Sequence, residues 1–430
     1  MKAFVENRFG LFLLVLVALG ALYGVAHVTT PAPATPRPPG PRKVAVESAS
    51  VVCPAPRGAR VSVYERGGVS AKAVKDAKPY VVAGHGGLEV GYTTRVTRGG
   101  ERGLAGVRCT EPAATTWLVG PGPAEASVTL HLANVDKSPA MADVQVYAAE
   151  GPISGDKGLG LEIRPGEHRD IDLRTLAPSA DIMAVSVTTG QGRVAVAARA
   201  VFEGKGVDWL PAAAPPATRV VVPGIPGGGG MRELLVAAIG DTDATVQIRA
   251  VSQDAEYAMK GRETLDVPAG AVASLDVTTG IGGEAAALVL TSQTPIVAGM
   301  VITGTGSEQD VAFTAGTAPL DLGGAVADNA RGSKLVLTAP AGAGKVSVQV
   351  VPGGKPFEVP IPAGRTKEVK LPGKGDYGVV VTPVSGQVYG ARVTQERAGG
   401  GVLVTVRPLA PARAYAVLPG LSDDPGPVLR

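Results

Sequence analysis

Self-similarity at a period of about 100 residues constrains this chain more than any local motif. A unit that recurs must bury its apolar face in the same way each time. Three stretches carry the register: RPGEHRDIDL (164–173), PAGAVASLDV (268–277) and PAGRTKEVKL (362–371). Each sets a proline-glycine turn before an alternating strand, so Gly166, Gly270 and Gly364 are expected at equivalent positions. Downstream, SVTTGQGRVAVAARAVF (186–202), VLTSQTPIVAGMVIT (289–303) and VVTPVSGQVYGARVT (380–394) each read as a hairpin of two strands around a short polar turn. Upstream, the segments 127–148, 233–251 and 334–351 match in kind, with Asp, Asn, Pro and Gly at their turns.

Seven or so short strands per unit, with turn signals at short intervals and no helical period, is the pattern of a two-sheet sandwich. The expected fold is therefore all-β: immunoglobulin-like β-sandwich repeats in tandem over 116–217, 218–322 and 323–430, the last including a C-terminal tail. A β-propeller with two blades per unit is the alternative. Residues 44–115 read as a shorter, degenerate β unit. It begins with SVVCPAP, which is similar to RVVVPGIPG at 219–227, and its glycine-rich middle is too sparse to fill a core unaided.

An apolar fraction of 45% supplies these cores, carried by Ala, Val and Leu, with aromatics at only 4%. Basic and acidic residues, 41 and 38, are scattered, and no basic block interleaved with aromatics points to nucleic acid. The two cysteines, Cys53 and Cys109, allow one pairing, and in an oxidising compartment a disulfide closing this loop would stabilise by about 4 kcal/mol. Two buried thiols are the alternative.

The run Phe9–Val28 is uncharged and just long enough, as a helix, to cross a hydrocarbon core. Residues 1–28 read as a retained membrane anchor, with cleavage near Gly24 and Ala26 and secretion as the alternative. Basic residues flank both sides, so charge leaves the orientation open. The cysteines and the absence of a second span place residues after about 29 outside the cytoplasm. The segment 29–43 is a proline-rich linker stiffened toward polyproline II.

The apolar anchor, Cys53-Pro54, the set Cys109, Pro112, Trp117 and Gly120, and the proline-glycine repeats together resemble a family. It comprises uncharacterised secreted or membrane-anchored proteins of streptomycetes and related actinobacteria, a domain of unknown function. The resemblance implies an association with envelope glycosylation functions and brings no activity, cofactor or catalytic residue.

Each local motif has a stronger structural reading. His168-Arg169-Asp170 imitates a kinase triplet, but the other units carry VAS and TKE in the same frame. APAGAGKV (339–346) lacks the first glycine and the hydroxyl of a phosphate loop. PGIPGGGGM (223–231) offers amides for an anion but reads as a flexible connection. Asp136, Asp241 and Asp243 could hold calcium and read as turn formers. His85, His131 and His168 are far apart in sequence, and Trp117 and Trp209 sit at unit boundaries, where packing is the expected role. No catalytic residue, cofactor or metal site is assigned. The expected function is a non-enzymatic, membrane-anchored structural or interaction protein of the cell envelope with an envelope protein partner. A glycan-binding accessory protein is the alternative.

Overall fold

The computed structural model describes residues 2–29, 40–55, 58–65, 67–76, 78–329, 332–372, 377–409 and 415–419. The chain is mostly β, with many sheets and one N-terminal apolar helix. Its contacts divide it into two units. Met1–Val44 with Ala416–Arg430 contains the helix Lys2–Thr29 and residues 42–44 and 416–418 of a two-stranded ribbon. Within the helix, Phe9–Val28 has a mean hydropathy of 2.4 and no part of it is buried. A helix of that length rises about 30 Å, enough to cross a membrane. Most of the proline-rich linker and the tail after residue 419 lie outside the described residues.

Ala45–Tyr415 is the second unit, and one strand order recurs through it. Between residues 115 and 210, Thr115–Pro121, Ile182–Gln191, Ala140–Ala148 and Leu161–Ile163 form one sheet in that order. His168–Asp172, Ser127–Ala133, Ala195–Phe202 and Gly206–Leu210 form the other. Alternation sends Val144 and Val185 of the first sheet against Leu130 and Val196 of the second in a shared core. The same order returns between residues 324 and 408, beginning with Gly324–Val326 and ending with Gly401–Pro408. Between residues 217 and 315 it returns once more, there as a single eight-stranded sheet, because Ala286–Thr303 is one strand of 18 residues that serves both halves. A propeller blade is a single sheet, so two sheets around a common core exclude the propeller reading.

Gly166, Gly270 and Gly364 precede the equivalent strands His168–Asp172, Val272–Asp276 and Arg365–Lys370, at φ of +73°, +68° and +63°. A side chain there would strain the turn that sets register. The three expected hairpins are corrected. Ile182–Gln191 is paired on both sides by Thr115–Pro121 and Ala140–Ala148, and Ala195–Phe202 by Ser127–Ala133 and Gly206–Leu210. Neither strand has a free edge for the other, so the polar turn carries the chain from one sheet to the next. The same crossing occurs within 380–394, whereas 289–303 lies within the single strand Ala286–Thr303.

Residues 49–108 repeat the pattern without its third and fourth strands. Ala49–Cys53 pairs Tyr80–Gly84 and, through Val52, bridges Thr110, while Gly68–Ala73, Arg60–Glu65, Glu89–Val96 and Gly103–Arg108 form the second sheet in that order. The Cys53–Cys109 disulfide joins the ribbon to the strand that closes this sheet.

The units are not strung end to end. Their closing strands, Gly103–Arg108, Gly206–Leu210, Val311–Ala315 and Gly401–Pro408, each touch the next, and the fourth touches the first. Four closing strands thus form a closed ring.

Candidate functional site

The centre of the ring is polar. Asp310, fully buried, precedes the third closing strand and accepts backbone N–H from all four: Leu104 and Val404 at 2.9 Å on Oδ2, Val311 at 2.9 Å on Oδ1, and Val207. Glycine makes the room. A Cβ on Gly103 would lie 2.5 Å from Asp310 Oδ1, and one on Gly206 would lie 2.8 Å from it. Burial pushes the Asp310 carboxyl up to about 6 against the pull of its amide donors.

Asp208, in the second closing strand, is also fully buried, and its Oδ1 accepts from Gly106 N and Trp209 N at 2.9 Å. Burial raises its carboxyl well above the ordinary range. Arg392 is fully buried, donates to Thr394 Oγ1, and is lowered to about 9 by burial and then by Arg407. Where the strands begin, Arg102 donates to the carbonyls of Glu308, Gln309 and Ala398 and so clasps the approaches to the third and fourth closing strands.

Where the closing strands end, a cavity of about 270 Å³ opens among all four units. The linkers after the first two closing strands wall it with Pro112 and Pro211, and Thr317 and Pro408 complete it from the other two. Trp209, Val196 and Ala197 are its apolar side. Its polar side holds Glu89, 2.7 Å from Arg108 Nε, and Arg407, whose Nη1 donates to Val107 O at 2.8 Å and Nη2 to Asp328 O at 2.7 Å. Glu89 is raised by burial, which outweighs Arg108. Arg407 passes Gly91, where a Cβ would lie 2.0 Å from Nη1. Arg407 Nε and Thr317 Oγ1 are buried without a hydrogen-bond partner. The charges at the ring centre fix strands, and Glu89 and Arg407 are among the residues that line the space at its mouth.

Cys53 and Cys109 form the disulfide, with Cα atoms 4.3 Å apart, and Cys109 lines the cavity. The histidines do not converge. His85 Nδ1 lies 2.8 Å from Glu65, His131 Nδ1 lies 2.7 Å from Asp170, and His168 is exposed two residues along the latter strand. Asp136 is held by Arg193 at 2.8 and 3.0 Å, and Asp243 accepts from Ala269 N. Among the described residues no cluster of three His, Cys, Asp or Glu could hold a metal. Lys345 of the phosphate-loop imitation pairs with Glu358 at 3.0 Å. The glycine run 227–230 is no anion cradle. Its carbonyls Gly228 and Gly229, with those of Pro226, Met231 and Thr303, accept from the buried Arg232. Trp117 packs against Tyr147, and Trp209 against His131.

Sequence reasoning missed Asp208, Asp310, Arg392 and Arg407. The sign was there: GVDWL, QDVAFTA and TVRP each set a charged residue in or beside a strand otherwise apolar enough to be buried on both faces.

No curated protein matches the sequence. Among solved structures, a Ca²⁺-stabilized adhesin that helps an Antarctic bacterium reach out and bind ice is 11% identical. That alignment covers 85% of this chain and 94% of the other at a TM-score of 0.13, a likeness on which nothing here is built. Residues 69–372 match a family of unknown function, and that span is most of the chain. The repeats, the ring they close and the cavity at its mouth are therefore features of a member of that family, DUF5719.

Proposed function

We propose that this protein is a non-enzymatic, membrane-anchored module of the cell envelope. Its immunoglobulin-like sandwiches stand outside the cytoplasm and engage a protein partner. The observation that carries this reading is how the chain uses its buried charge. Asp310, one of the carboxyls most displaced in protonation, is spent on four backbone amides that close the ring. An architecture built to hold a surface rigid uses buried polar groups in this way. The uncharged run Phe9–Val28, no part of it buried, supports anchoring, and the disulfide supports an oxidising compartment. The resemblance to actinobacterial envelope proteins supports the same location.

The test is cross-linking in intact cells followed by purification of the full chain. Recovery of one envelope protein, repeated when that protein is the bait and lost when residues 1–28 are replaced by a cleavable signal, is expected. Cross-links to cytoplasmic proteins alone would overturn the proposal.

A further inference from the structure

The complete units fill a slot that the shortened unit 49–108 leaves open. Ser186, Val289 and Val380 begin the three recurring segments 186–202, 289–303 and 380–394, and each pairs with the third strand of its unit, at Gln145, Arg249 and Gln349. Val81 holds the same position: it pairs Val52, which bridges Thr110 as Trp117, the partner of Ser186, bridges Ala213 and Val221, the partner of Val289, bridges Thr317. Ser186 and Val289 are 5% and 6% exposed, and Val81 is 46% exposed. Among the described residues Tyr80–Gly84 pairs with Ala49–Cys53 alone, so its other edge presents N–H and C=O groups to solvent.

The neighbouring sheet is uncovered at the same place. Val52 packs on Ala133 and Ala195, and His168 pairs Ala133 in the edge strand of that sheet. At the positions equivalent to His168, Val272 and Thr366 are buried, and Thr366 Oγ1 donates to Val251 O, the end of a third strand, at 2.6 Å. His168 is exposed. The strands that fill the slot elsewhere read Val144-Gln145-Val146, Ile248-Arg249-Ala250 and Val348-Gln349-Val350, a long polar residue between apolar ones. Charge adds a direction. In the register of the complete units an antiparallel occupant begins opposite Gly84, where a Cβ would lie 2.8 Å from Glu65 Oε1. It ends opposite the exposed Lys78, close in sequence to Tyr80, over whose ring Lys72 Nζ lies at 5.5 Å.

We infer that the free edge of Tyr80–Gly84 accepts an extended, antiparallel strand of a partner protein. That strand begins with a basic residue, sets a Gln or Arg between apolar residues opposite Val81, and ends with an acidic residue. A second copy of this chain would offer YVVAG, which has neither the long polar residue nor the charged ends. The inference rests on the proposed protein partner and names the surface that partner uses.

Fluorescence anisotropy and amide exchange on the full chain in detergent test it, with the blocked peptide KAVQVTE as probe. Binding is expected, with exchange across residues 80–84 slowed about tenfold at saturation. The peptide EAVQVTK has the same composition with its end charges exchanged, and should bind about fivefold to tenfold more weakly. Methylating alternate backbone amides of the probe should abolish binding for one parity and spare it for the other, because only one set of N–H groups faces the edge. No binding at millimolar concentration, or binding indifferent to methylation of either parity, would overturn the inference. So would slow exchange across 80–84 in the chain without peptide, since the edge would then be occupied by a second copy or by the chain itself. An envelope partner recovered by cross-linking while the peptide fails to bind would leave the proposed function standing and sink this surface alone.

Discussion

Asp310→Ala removes the acceptor shared by the four closing strands. Three of its amide donors, Leu104, Val207 and Val404, come from strands other than its own and would be left buried without a partner. At about 2 kcal/mol for each, the loss is about 6 kcal/mol. Removing a carboxylate whose pKa is raised from 3.8 to about 6 offsets about 3 kcal/mol at pH 7.5, leaving a net cost of about 3 kcal/mol. At the usual unfolding entropy of about 2 cal/mol/K per residue, a body of the length of Ala45–Tyr415 should melt about 4 °C lower. The sign with pH follows from the raised pKa. The folded protein holds this proton more tightly than the unfolded chain. The stability this confers is complete below about 3.8 and lost as pH rises through about 6. The gap between the natural chain and Asp310→Ala should therefore widen as pH falls from 7.5 to 4.5. Calorimetry of the full chain in detergent measures both. A melting temperature within 1 °C of the natural chain, or a gap that narrows on acidification, would refute the role given to Asp310.

Cys53→Ser frees the ribbon Ala49–Cys53 from the degenerate unit and should cost about 4 kcal/mol, read as a lower melting temperature that reducing agent does not lower further. Arg232→Met strips five carbonyls of their buried donor, so amide exchange across residues 227–230 should quicken more than at Leu234 and Val236, which lie in the core.

Strands and their repeat were legible because alternation and proline-glycine turns act locally. The disulfide was legible from a count of two cysteines. The strand-to-sheet crossings were not. A short polar turn between two β segments looks the same whether the segments pair or part, and only the neighbours on both sides of Ile182–Gln191 decide it. Ring closure was likewise invisible, since it depends on contacts between residues about 300 apart, such as Arg407 Nη1 to Val107 O. The cavity inherits that difficulty, because its polar side joins Glu89 to Arg407 and no local spacing relates them.

Membrane fractionation combined with surface labelling of intact cells tests the envelope assignment most directly. The full-length chain should remain with the membrane after alkaline extraction and react with an impermeant amine reagent before lysis. A chain recovered in the soluble fraction, or labelled only once the cells are broken, would contradict it.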